Sequence, residues 1–188
     1  MSTFTAVFDA CVLYPAPVRD FLLWLAQSDL FRARWTDRIH DEWTSAVLAK
    51  RPELAEQLTR TRGLMNEAVP DCLVMGYEGL IDSLELPDPA DRHVLAAAIR
   101  CQAGVIVTYN IKDFPAEVLD MHGLEAQHPD DFVEHLLGLS PAAVCNAARK
   151  QRANLTRPPK SPEEFLVTLA AHGFTKTVAQ LEEMAELI

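Results

Sequence analysis

Five polar positions carry the chemistry open to this 188-residue chain: Asp9, Glu42, Asp91, Asn110 and Asp113. Asp9 ends a short apolar run at residues 5–8 (TAVF), and Glu42 falls early in the helical stretch that follows FRARW. Asp91 falls in the first turn of DPADRHVLAAAIR, while Asn110 and Asp113 follow the β-branched run VIVTY. In a parallel α/β sheet the C-terminal strand ends and the N-termini of the following helices share one edge, where ligands bind. Acids far apart in sequence then converge there. Carboxylates crowded in a cleft repel one another unless a cation sits among them, and oxygen donors with open positions suit Mg²⁺ or Mn²⁺. Such an ion acidifies water, the nucleophile that phosphodiester hydrolysis needs. Each acid also has a plainer reading. Asp88 and Asp91 could be a helix cap and a dipole-favoured acid, Glu42 a solvated helix-face acid, Asp113 a turn residue. Convergence favours the sharper reading, because independent caps have no reason to share an edge.

The elements that must position these residues follow from periodicity. Residues 5–8 read as a buried strand, residues 17–28 as a helix and residues 31–35 as a second strand. Thr36 or Asp37 can cap a helix to about residue 50, with Ile39, Trp43, Val47 and Leu48 facing inward. Another helix is expected over residues 53–67, then a short apolar run at 72–75 and a helical turn near 78–84. Asp88 is a good N-cap with Pro89 at the first helical position, and Gly104 is expected to end that helix. The strand VIVTY, a polar loop at 110–115, a short helix, an edge strand at 124–128 and a helix at 129–137 complete the unit. Strands alternating with helices predict an α/β fold with a mostly parallel central sheet over residues 1–138. Residues 139–188 are expected to form an accessory helical C-terminal extension, broken at TRPPKSP.

Composition narrows the classes. Apolar residues make up 49% of the chain and charged residues 23%, enough for a core and too ordered a balance for disorder. No apolar run reaches the roughly 18–20 residues of a membrane helix, and the N-terminus lacks the basic segment of a signal peptide. A cytoplasmic protein is therefore expected. The four cysteines are at least 29 residues apart, which offers neither a zinc knuckle nor a compact disulfide framework. Net charge is −10, against any broadly basic surface for polyanions. Its distribution is uneven: five basic residues and no acid lie in residues 136–162, net −4 in 163–188, leaving −11 for residues 1–135.

Other chemistries find less support. Cys11 has no evident paired base, and no HxxxH, HExxH, GxGxxG or Walker A pattern occurs. A haloacid-dehalogenase-like phosphatase would want a second Asp two residues after Asp9, where Cys11 stands. His93 is expected to face solvent or pack locally. Arg92 beside Asp91, Lys112 in the loop, and the basic stretch 149–160 are the candidates for substrate contact.

VFDACVL, DEW, DPADRHVLAAA and VTYNIKDFP occur in the order and approximate spacing of the PIN-domain ribonucleases, which this chain resembles over about residues 4–135. The helical tail with its PP break is similar to that of a bacterial branch related to VapC-type toxins. The resemblance implies a three-layer PIN-like fold and a metal-dependent endoribonuclease, often a toxin neutralised by a cognate antitoxin. It implies that Asp9, Glu42 and Asp91 ligate Mg²⁺ or Mn²⁺, with Asn110 and Asp113 in the positions of the last polar or acidic ligands. RNA is then the substrate, an antitoxin protein the expected partner, and a homodimer an open assembly state. Two departures stand out. Position 110 is Asn where many members have Asp, and position 11 is Cys where Asn, Ser or Thr is common. They keep a rival reading open, a noncatalytic PIN-fold protein-binding module with a residual metal site.

Overall fold

The computed structural model describes residues 3–188. Strand β1 (Phe4–Phe8) is apolar at all but one position, and its last three residues are fully buried. A one-turn helix α1 (Ala10–Leu13) follows at once, capped by Asp9, and α2 (Ala16–Ala26) leads to β2 (Phe31–Arg34). Helix α3 (Asp37–Leu48) starts at Thr36, whose hydroxyl accepts the Ile39 N–H at 3.0 Å. Helix α4 (Ala55–Ala68) and a long connection precede α5 (Arg92–Arg100) and β3 (Val105–Val107). The short α6 (Ala116–Leu119), β4 (Glu125–Gln127) and α7 (Pro129–Leu139) close the α/β unit.

The four strands are parallel in the order β2-β1-β3-β4, as the alternation of strands and helices predicts. From β1 the chain moves first to β2 on one side and later to β3 on the other. The topological switch point therefore lies between the C-terminal ends of β1 and β3, the crevice where open α/β sheets bind ligands. Register puts Phe8 beside Val107, so Asp9 and Thr108 leave the sheet as neighbours. On one face the rings of Phe4, Phe8 and Phe31 surround Phe132 of α7, with centroids 4.9–6.2 Å apart. α5 packs against β1 and β3 through an almost fully buried stretch at residues 93–98. The result is the three-layer α/β architecture.

Three local details differ from the sequence expectation. α1 was not foreseen, because four residues are too few to display a helical period. The α-helix after Asp88 begins at Arg92, since Pro89–Asp91 forms a tighter 3₁₀ turn. The residue that ends α5 in the left-handed region is Gln102 (φ 53°), not Gly104. The Ala103 N–H closes the helix end on the Ala98 carbonyl (2.9 Å), and the Gly104 N–H is already paired with Thr5 across the sheet (2.9 Å).

The C-terminal helices α8 (Pro141–Asn154), α9 (Pro162–Ala170) and α10 (Thr175–Glu182) pack on the α/β unit. Phe21 of α2 meets the rings of Phe165 and Phe174 edge-on at 6.3 and 6.0 Å, and Gln151 donates to the Pro17 carbonyl at 2.9 Å. Most of the basic stretch is engaged within this tail or against α2. Arg152 donates to the carbonyls of Lys160 and Ile188, Lys160 to Thr168, and Lys150 lies over Trp24.

Candidate active site

Asp9 is 5% exposed at the switch point and spends its carboxylate locally. Oδ1 accepts the Ala10 N–H at 2.6 Å, and Oδ2 accepts the Thr108 hydroxyl at 2.7 Å and the Cys11 thiol at 3.1 Å. An ionised carboxylate offers about four lone-pair sites, so one on Oδ1 is left for a further partner. Thr108, fully buried at the end of β3, also accepts the Asn110 N–H at 3.0 Å. Thr108 joins the two strand ends and was not singled out from sequence. Its signal was a hydroxyl in an otherwise apolar run, hidden because threonine is itself a good strand former.

Cys11 lies between Asp9 and Tyr109, whose N–H points to its sulfur at 3.2 Å. Burial, then the adjacent Asp9 charge, pushes the thiol up to about 12. It stays protonated and donates to Asp9, which excludes a nucleophilic role. Burial also raises Cys72 (to about 11), Cys101 and Cys145. Folded protein at pH 8 is therefore expected to react slowly with a thiol-specific disulfide reagent at all four positions, and unfolded protein quickly. Rapid stoichiometric labelling of the native chain would contradict these environments.

Glu42 stands in the second turn of α3, half-buried, with Arg38 at 3.5 Å one turn back. Its Oε1 lies 2.7 Å from Nε2 of His93, in a contact that lacks hydrogen-bond alignment; the His93 side chain is fully buried. His93 does not face solvent. Its place in the first turn of α5 directs it under the acids, and spacing from Asp91 alone could not reveal a partner fifty residues earlier.

Asp91, at the junction of the 3₁₀ turn and α5, makes no capping hydrogen bond. Burial, then the charges of Asp9, Asp88, Asp113 and Glu42, pushes its carboxyl up to about 6. Four acids from four segments thus act on one side chain. Asp88 caps Ala90 (2.8 Å) and also belongs to this field, a double role the sequence reading did not give it. Asp113 is half-buried in the turn Ile111–Asp113, whose first N–H···O contact ties Asp113 back to Asn110 at 3.0 Å. Asn110 and Lys112 are exposed on that turn. Arg92 is half-buried with its Nε enclosed and unpartnered. The structure thus brings Asp9, Glu42, Asp91 and Asp113 into one electrostatic cluster and leaves Asn110 and Lys112 at its rim.

The donor set is oxygen throughout, with like charges facing one another, which is the chemistry of a hard divalent cation. Among the described residues no three acids, histidines or cysteines stand close enough to hold an ion as they are. Mg²⁺ keeps several of its waters and needs only one or two direct carboxylates, so the cluster fits without forming a closed cage.

The family model described as a PIN domain matches residues 5–112, and that described as the VapC50 C-terminal domain matches residues 129–183. A curated relative, "Putative ribonuclease VapC50" of Mycobacterium tuberculosis, is 34% identical over 118 residues, which cover 63% of this chain and 69% of the relative. No solved structure matches. The PIN match spans the switch point and the segments bearing Asp9, Glu42 and Asp91, so the chain belongs to the PIN-domain family.

Proposed function

We propose that the chain is a Mg²⁺- or Mn²⁺-dependent endoribonuclease. The observation that carries this reading is the gathering of Asp9, Asp88, Asp113 and Glu42 around Asp91 at the sheet's switch point. Asp9, Glu42 and Asp91 would hold the ion, with Asp113 and Asn110 completing the site. When bound, such an ion would supply charge neutralisation and a more acidic water for phosphodiester hydrolysis. Thr108 and Cys11 fix the Asp9 carboxylate by donating to Oδ2, which leaves a lone pair of Oδ1 for a further partner. His93 occupies the space beneath Glu42 and limits its rotamers. Lys112 and Arg92 flank the acids and meet the phosphates of the RNA strand. Cys11 in place of a hydroxyl or amide makes a weaker donor, and Asn110 in place of Asp removes one charge, so a one-metal, slow enzyme is the form this site takes.

The resemblance to VapC-type toxins, and the VapC50 C-terminal match over residues 129–183, support a toxin held in check by a cognate antitoxin; a cytoplasmic location and a monomer or homodimer complete the reading. No helix among the described residues is long and apolar enough to cross a membrane. Purified protein incubated with total cellular RNA tests the reading. Discrete fragments in Mn²⁺, absent in EDTA and absent with the Asp9→Ala Asp91→Ala variant, are expected. Intact RNA in Mn²⁺ would overturn it in favour of a noncatalytic binding module.

A further inference from the structure

Beside the acidic cluster a cleft of about 340 Å³ opens between α1 and α3, lined by Cys11, Tyr14, Glu42, Trp43 and Lys50 among others. Cys11 and Glu42 belong to both the cleft and the acidic site, so the opening adjoins the place where a phosphate at the acids would sit. The lining is mainly apolar, and its volume lies at the small end of the roughly 300–1,000 Å³ of sites that take one compact ligand. Tyr14 is half-buried and fixed at the C-terminal end of α1 by its N–H to the Ala10 carbonyl (3.0 Å). Lys50 is exposed, with its ammonium 5.4 Å from the Tyr14 ring centre and no salt bridge among the described residues. An exposed lysine resting on the ring means that this aromatic surface is reachable from solvent. It also puts a cation, without a salt bridge among the described residues, on the cleft lining close to Glu42's helix.

We propose that this cleft is a nucleobase subsite, in which Tyr14 stacks one unpaired RNA base next to the scissile phosphate and Lys50 swings off the ring to meet the adjoining phosphate. The inference rests on the RNA reading above and adds to it the recognition of a single-stranded, splayed nucleotide. Base–aromatic stacking tolerates any base, and Trp43 and Ala46 of α3 line the cleft opposite Cys11 of α1. Duplex RNA, whose bases remain paired, cannot fill the subsite. Tyr14 and Lys50 therefore act on binding and register and hold no metal.

Binding of a fluorescent single-stranded RNA hexanucleotide, followed by anisotropy in Mg²⁺ with Asp91→Asn protein so that the probe stays whole, tests the proposal. Adding Tyr14→Ala is expected to weaken binding about ten-fold, with Tyr14→Phe restoring the parental affinity because the ring is kept. Adding Lys50→Met should lower the slope of log affinity against log salt by about 0.7, the value of one single-strand phosphate contact. Melting temperatures of the variants report that each is folded. Equal affinity with and without the Tyr14 ring, equal loss in the Phe and Ala variants, or no binding to the parental protein would each overturn the subsite. Cleavage of cellular RNA by the wild type is read separately, so failure of the nuclease reading and failure of the subsite give different results.

Discussion

Asp91→Asn is expected to lower RNA cleavage by at least about 10²–10³-fold while raising the melting temperature at pH 7. The two effects share one cause. In the folded chain the Asp91 carboxyl is pushed up to about 6 by burial and by four neighbouring acids. A carboxyl with a raised native pKa binds protons more tightly when folded than when unfolded. Its contribution to stability therefore falls as pH rises from about 4 to about 6, and is most unfavourable above 6. Asn removes the charge, and no capping hydrogen bond is lost with it. After allowance for solvent screening the gain is about 1 kcal/mol, or roughly 2–4 °C for a chain of this size, and vanishes near pH 4. Mn²⁺ should raise the wild-type melting temperature in the same pH range, by the same relief of repulsion. Melting curves from pH 4 to 8, paired with a cleavage assay, check both halves. A variant that cleaves at the wild-type rate would remove Asp91 from the site.

Asp130→Ala should cost the fold about 3 kcal/mol, a fall of roughly 6–12 °C in melting temperature. Asp130 of α7 is 4% exposed and gathers the start of α10. Its Oδ1 accepts the Thr177 N–H at 2.9 Å, and Oδ2 accepts the Lys176 N–H at 2.9 Å and the Thr175 hydroxyl at 3.3 Å. Truncation leaves these first-turn donors without a partner in a buried joint. Burial opposes ionisation here, but the backbone N–H groups of Lys176 and Thr177 outweigh it and hold the carboxyl below its ordinary range. A depressed native pKa gives stability that is present above the unfolded value and lost as pH falls through the folded one. The gap between wild type and variant should thus be widest above pH 4 and close in stronger acid. Thermal melts at pH 7 and pH 3 measure it, and a shift of 1 °C or less at pH 7 would contradict the joint's weight.

This joint also bears on the site. Tyr109, next to Asn110, donates its hydroxyl to the His172 carbonyl at 2.8 Å, and its ring meets His128 edge-on at 5.0 Å. Gly173 adopts φ 87° at the same place, where a Cβ would approach the His128 ring to 3.5 Å. The tail thereby braces the turn that carries Asn110 and Asp113. Nothing in the sequence of the tail announces this, because its amphipathic helices fit equally well against the chain's own body or a partner.

The parallel sheet and the edge that collects the acids were legible because the two central strands, β1 and β3, are short apolar runs, each followed by polar residues. That pattern needs only local information, and topology then places Asp9, Glu42, Asp91 and Asp113 together. What stayed hidden depends on contacts across the chain. His93 reads as a lone histidine until α3 brings Glu42 over it, and Thr108 reads as a strand former until Phe8 pairs with Val107. Asp88 satisfies a helix-start pattern so well that its second role, in the field on Asp91, leaves no separate trace. The end of α5 went to Gln102 and not to Gly104 because the sheet had already claimed the Gly104 N–H.

Asp9, Glu42, Asp91 and Asp113, gathered at the switch point between β1 and β3, are expected to form a divalent-cation site. Titration of Mn²⁺ into the wild type and into Asp9→Ala Asp91→Ala, followed by calorimetry at pH 7, tests it without reference to any substrate. Saturable binding by the wild type, lost in the double variant while its helical signal and cooperative melt persist, is the predicted result. Equal binding by both proteins, or no binding by the wild type, would contradict it.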